Sequence, residues 1–120
     1  MPTPVAHGTD PSAITDAQQA ALRIQLVQQR RFRLEQLATL DRLAFRVCAR
    51  GTAADLEVHD QLVSGARAAL TDVDAAIDRM NAGSYGRCAF CGETLPIERL
   101  EVLPHVALCM SCQRVQDALR

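Results

Sequence analysis

The sequence predicts a mainly α protein: a long antiparallel two-helix coiled-coil hairpin, followed by a small four-cysteine finger with a short C-terminal helix. Three observations carry this. Ala and Leu dominate the apolar residues of a chain that is 48% hydrophobic but only 3% aromatic, a helix-rich composition. Two stretches of helix-forming residues without proline meet at Gly51–Thr52. Behind the second stretch stand two Cys-x-x-Cys pairs, Cys88/Cys91 and Cys109/Cys112.

Residues 1–11 hold three prolines and a glycine, but neither the basic segment nor the apolar run of a secretory leader. They are expected to form a flexible tail. Residues 12–82 are assigned to the hairpin, with the first helix at about 12–50, where Pro and Gly are absent. Two starts compete for it: Asp10 as cap with Pro11 at the first helical position, or a capping box formed by Thr15 and Gln18. The tip falls at 50–53. Gly51 is suited to the left-handed conformation that closes a helix, and Thr52 with Asp55 three residues on restarts one.

The second helix, about 52–82, carries an unbroken heptad seam: Leu56, His59, Val63, Ala66, Leu70, Val73, Ile77 and Met80. In the first helix Ile24, Val27, Leu34, Leu37, Leu40, Ala44 and Val47 form a stripe interrupted at Arg31. Charge favours pairing the two. Residues 12–50 hold seven Arg against Asp16, Glu35 and Asp41; residues 52–82 hold six acids against Arg67 and Arg79, giving +4 and −4. A seam alone is equally compatible with pairing between two copies, or with an adaptor that pairs with another protein. The short connection at Gly51–Thr52 favours a hairpin within one chain, hence a monomer. Such an arm would be about 45–55 Å long at 1.5 Å per residue.

Residues 83–120 form a different module, opened by Gly83–Ser84–Tyr85–Gly86. Seventeen residues separate its two cysteine pairs, a spacing expected of a four-cysteine zinc site. Two residues between thiolates let one tight turn present both sulfurs to a tetrahedral ion, and Gly92 suits that turn. Cys88, Cys91, Cys109 and Cys112 are therefore expected to bind one structural Zn2+. Four thiolates leave the ion no open position, so no enzyme activity is expected. A redox-responsive zinc–thiolate centre is a competing use of the same residues. His105 lies between the pairs and is expected to be a packing or surface residue. From Ser111 to Leu119 a short helix is expected to pack Val115 and Leu119 against the finger. Cys48 and His59 are expected to be a packing residue and a partly solvated seam residue near the tip.

Composition excludes some partners. A net charge of −1, from 13 basic and 14 acidic residues, gives no cationic surplus to neutralise phosphates, so sequence-specific DNA binding is not expected. No stretch reaches the roughly 18 apolar residues of a membrane span. With five cysteines, two of the pairs closely spaced, and no leader, a cytoplasmic, metal-binding protein is expected.

The run Tyr85-Gly86-Arg87-Cys88-Ala89-Phe90-Cys91-Gly92, with Leu95, Arg99-Leu100, Pro104 and Cys109-Met110-Ser111-Cys112, resembles the finger of the DksA/TraR family. That family joins a C4-type zinc finger to a long coiled-coil hairpin. The resemblance implies a bacterial transcription regulator that binds RNA polymerase directly, with the arm inserted in the secondary channel, in some members jointly with ppGpp. DksA-like members carry an acidic D-x-x-D-x-A motif at the tip. Here the turn reads Ala49-Arg50-Gly51-Thr52-Ala53-Ala54-Asp55-Leu56-Glu57. Its candidate partner-binding residues are Arg50, Ala53, Asp55 and Glu57, of which Asp55 is also placed to cap the second helix and Arg50 to face the first helix's dipole.

Overall fold

The computed structural model describes residues 13–120. The described residues form four helices: α1 (Asp16–Arg50), α2 (Ala53–Ala82), α3 (Ile97–Val102) and α4 (Met110–Ala118). The first two pack against each other as an antiparallel hairpin, and the longest dimension of the structure is 62 Å. No helix among the described residues is long and apolar enough to cross a membrane.

The start of α1 is the Thr15–Gln18 capping box. The Gln18 N–H donates to Thr15 Oγ1 at 3.0 Å, and the Thr15 N–H donates to Gln18 Oε1 at 2.8 Å. The competing start at Asp10–Pro11, and the tail at 1–11, lie outside the described residues. At the far end Gly51 closes α1 with extended backbone, φ −79°, rather than in the left-handed conformation expected of it. Its role is close approach: a Cβ there would lie 2.5 Å from the Val47 carbonyl oxygen, which the Gly51 N–H itself bonds at 2.8 Å. Thr52 and Asp55 then form a reciprocal capping box for α2. At the base of the arm Gly83, at φ +81°, takes the left-handed cap that closes α2.

The α2 seam lies against α1, with Ala66, Val73 and Met80 buried and Leu56 opening to solvent near the tip. The α1 seam differs from the apolar stripe. Ile24 is 60% exposed, and Val27 and Leu34 also face solvent. The inward positions are Leu22, Leu26, Gln29, Arg33, Gln36, Leu37, Leu40, Ala44 and Val47, the last four of them in the expected stripe. This seam keeps a heptad-like step but passes through three half-buried polar residues in its middle, Gln29, Arg33 and Gln36. Arg33 donates to Gln36 Oε1 at 3.0 Å there. The charge match between the helices is expressed in one Arg–carboxylate bridge, Arg30 to Asp74 at 2.8 Å, with both side chains nearly half exposed.

Burial is concentrated at one end. Leu22, Leu26, Val73, Ala76 and Met80 of the arm join Tyr85, Cys88, Leu95, Leu100 and Val106 of the finger in one core. Between residues 41 and 65 no residue is buried.

Candidate metal centre

Two turns present the sulfurs. In the first, a short antiparallel bridge between Arg87 and Thr94 closes the loop, with Cys88 N–H donating to the Glu93 carbonyl and Leu95 N–H to the Gly86 carbonyl, both at 2.8 Å. Gly86 and Gly92 hold φ of +88° and +81°, which side-chain-bearing residues rarely adopt. In the second, Cys109 caps α4 and accepts from the Cys112 N–H at 3.4 Å, as Cys88 accepts from the Cys91 N–H at 3.5 Å. The Ala89 N–H bonds the Ala107 carbonyl at 2.7 Å and brings the two turns together.

The four Sγ atoms lie within 4.8 Å of one another, with Cys91 and Cys109 at 3.8 Å. A tetrahedral ion with metal–sulfur bonds of about 2.3 Å requires sulfurs about 3.8 Å apart, so the donor set fits one zinc-sized ion. Zinc bound to four thiolates supplies a cross-link between the two turns, with no coordination position left for a reactant. The cluster also shows how the sulfurs divide their protons without metal. Burial disfavours ionising Cys88, yet backbone N–H groups of Cys91, Cys109 and Phe90 outweigh it and pull its thiol down to about 6. Hydrogen bonding to the Cys109 sulfur, then burial, pushes Cys112 up to about 12. A cation is what allows all four to be thiolates together.

Several groups that hold this geometry are not marked in the sequence as site residues. Tyr85 is buried and donates its hydroxyl to the Pro104 carbonyl at 2.8 Å. Arg79, from α2, donates to the carbonyls of His105 and Val106 at 3.3 Å. Arg99, from α3, donates to the Leu108 carbonyl at 3.3 Å and reaches Met110 Sδ at 2.9 Å. Together they tie the 104–110 loop, which delivers the second cysteine pair, to α2 and α3. Helix α3 itself went unanticipated; its six residues are too few for a periodic signal, and only Pro96 before it hints at a start. His105 is outside the sulfur cluster and half-buried. Val115 and Leu119 do not pack on the finger: they are 59% and 82% exposed, because α4 is anchored through its first turn at the cysteines.

The tip candidates stand at the other end of the arm. Arg50 is the last residue of α1 and Ala53 the first of α2; Asp55 and Glu57 follow in α2, and all four are exposed. The Asp55 carboxylate accepts from the Thr52 N–H at 3.0 Å, and the Asp55 N–H donates to Thr52 Oγ1 at 3.1 Å. His59 is better held than a frayed seam position: its Nε2 sits 2.8 Å from the Leu40 carbonyl oxygen. Cys48 is exposed rather than packed.

Fold and site thus define a helical-hairpin protein with a four-cysteine zinc finger at its base. Residues 83–118 match the model of the prokaryotic dksA/traR C4-type zinc finger. Among curated proteins it is 37% identical over 54 residues to general stress protein 16O of Bacillus subtilis, covering 44% of this chain and 33% of that protein. It is 29% identical over 51 residues to the RNA polymerase-binding transcription factor DksA of Haemophilus influenzae, covering 42% and 35%. These matches span about a third of each relative's length. The solved structure of transcription factor DksA2 from Pseudomonas aeruginosa has the same fold, with a TM-score of 0.73 at 23% identity over 95% of this chain and 94% of that one.

Proposed function

We propose that this protein is a non-catalytic transcription regulator that binds RNA polymerase directly, the hairpin entering the secondary channel. One structural zinc held by Cys88, Cys91, Cys109 and Cys112 fixes the base of the arm. The observation that carries the reading is the union, in one chain, of a DksA/TraR finger with a hairpin whose fold matches DksA2 from end to end. The relative in Haemophilus influenzae is itself named for polymerase binding. A net charge of −1 suits a protein partner better than DNA. In this reading Arg50, Ala53, Asp55 and Glu57 are the residues that reach deepest, the protein acts as a monomer, and joint action with ppGpp at the polymerase belongs to the same behaviour.

The test is competition on purified polymerase from the same organism against a transcript-cleavage factor that occupies the secondary channel. Displacement is expected, together with a crosslink from position 53 to the channel interior. Absence of displacement at saturating protein overturns the reading. Asp55→Asn keeps a capping side chain while removing the charge, so a changed transcriptional effect with unchanged helicity isolates the tip carboxylate.

A further inference from the structure

We infer that two copies of this chain pair with each other, antiparallel, through a second heptad seam on the outer face of α1. The inward face of that helix is occupied by α2. A second row nonetheless runs along it in steps of 3 and 4: Ala17, Ala20, Ile24, Val27, Arg31, Leu34, Ala38, Asp41, Phe45 and Cys48. Every member is exposed, Ile24 by 60% and Phe45 by 83%. Exposed apolar side chains scattered singly need no explanation, whereas a row at coiled-coil spacing, on a helix that already has its partner, points to another helix. The finger packs against α1 at Leu22 and Leu26 and leaves the row open.

The two charged members of the row identify that helix as a second α1. Arg31 and Asp41 have opposite signs, and neither makes an ion pair among the described residues. Two α1 helices laid antiparallel about a twofold axis level with Gln36 set Arg31 opposite Asp41 of the second copy. The same operation sets Leu34 opposite Ala38, Val27 opposite Phe45 and Ile24 opposite Cys48, and the axis repeats each contact. Residues 24–48 then overlap along about 36 Å at 1.5 Å per residue. Other arrangements fail on charge. A parallel pair in register opposes Arg31 to Arg31 and Asp41 to Asp41. An antiparallel pair shifted by one heptad either way leaves both charges against apolar residues, Leu34 and Ile24 in one case, Cys48 and Ala38 in the other. One charged pair in an apolar seam is a known means of fixing register. Glu35 approaches its own symmetry mate near the axis, but Arg31 stands four residues before it on the same helix to offset this. Arg30 and Arg33 are engaged within the hairpin, the first bridged to Asp74 at 2.8 Å and the second bonded to Gln36 at 3.0 Å. A copy paired in this way has its arm covered by another arm, so the monomer is the form that enters polymerase and the dimer the form held away from it. That consequence rests on the polymerase reading; the pairing does not.

Sedimentation equilibrium of the full zinc-loaded chain, reduced so that Cys48 forms no disulfide, measures the pairing. The wild type is expected to move with concentration from 13.1 kDa to twice that mass. Arg31→Asp and Asp41→Arg, each alone, place like charges face to face and are expected to weaken association at least about tenfold. The double swap Arg31→Asp/Asp41→Arg is expected to restore it, with circular dichroism unchanged throughout because both sites are exposed. A photocrosslinker at position 34 is expected to capture the second copy around Ala38. A wild type that stays monomeric up to about 1 mM, a double swap no tighter than the single reversals, or a crosslink to α2 or the finger overturns the pairing and leaves the polymerase reading standing. A dimer that forms as described in a protein that never binds polymerase removes that reading alone.

Discussion

The two ends of this molecule are built on opposite principles. At the base, arm and finger residues share one core, with Leu26 and Leu100 fully enclosed, and two arginines and a tyrosine lock the intervening loop through backbone carbonyls. Over the distal third the same two helices continue without one buried residue, held by caps, a half-buried histidine and a thin seam. The contrast teaches where order has to be imported. A two-helix rod has too little enclosed surface to hold itself, so stability is generated at one end and rigidity is transmitted along continuous helices to the other.

Removing the metal tests that division most severely. Structural zinc sites of this type contribute about 10–16 kcal/mol of apparent binding energy in small fingers. Chelation at neutral pH is expected to lower the melting temperature of the whole chain and reduce the helicity of the arm as well, because Leu22, Leu26 and Val73 lose their partners in the finger. Unchanged circular dichroism after verified zinc loss would show that the arm stands alone. Leu100→Ala, at the centre of the shared core, is expected to cost about 2–5 kcal/mol in chemical denaturation with metal still bound.

Tyr85→Phe addresses the loop rather than the core. It leaves the Pro104 carbonyl without its donor and is expected to cost about 1 kcal/mol. It also has a pH signature. Burial pushes the Tyr85 hydroxyl up to about 12, above the ordinary value of 10, so the folded state retains that proton longer than the unfolded chain does. The corresponding stability is fully present below pH 10 and is lost between about 10 and 12. The phenylalanine variant should lose that component of the alkaline fall, as read from denaturation midpoints across this window.

At the tip, Thr52→Ala removes one half of a capping box and is expected to cost about 1 kcal/mol locally. Because no buried residue ties the stretch 41–65 to the base, amide exchange should quicken around residues 52–60 while the global melting temperature scarcely moves. An equal drop in both would mean that tip and base unfold together. The smallest effect belongs to Arg30→Ala, whose half-exposed bridge to Asp74 is worth a few tenths of a kcal/mol and should vanish further in high salt.

Legibility in the sequence followed the same divide. The α2 seam, both capping boxes and the cysteine pairs were readable, because each is a local pattern with a fixed period or spacing. The α1 seam was readable only toward the tip, at Leu37, Leu40, Ala44 and Val47. Gln29, Arg33 and Gln36 occupy inward positions, so apolar character pointed to Ile24, Val27 and Leu34 on the outer side instead. Gly51 was recognised as the turn for the wrong reason, since its necessity comes from a carbonyl 2.5 Å from where a Cβ would stand. The carbonyl latches of Arg79 and Arg99 could not be read at all: they join residues whose proximity exists only after the cysteines have met.

The shared core also limits what can be exchanged among proteins of this architecture. A finger grafted onto a foreign hairpin would bring its own counterparts of Leu95 and Leu100 but not the helix faces that Leu22, Leu26 and Met80 provide here. Chimeras cut at Gly83 should therefore misassemble unless those arm residues travel with the graft, which makes the first turns of α1 and the last turns of α2 part of the finger's hereditary unit.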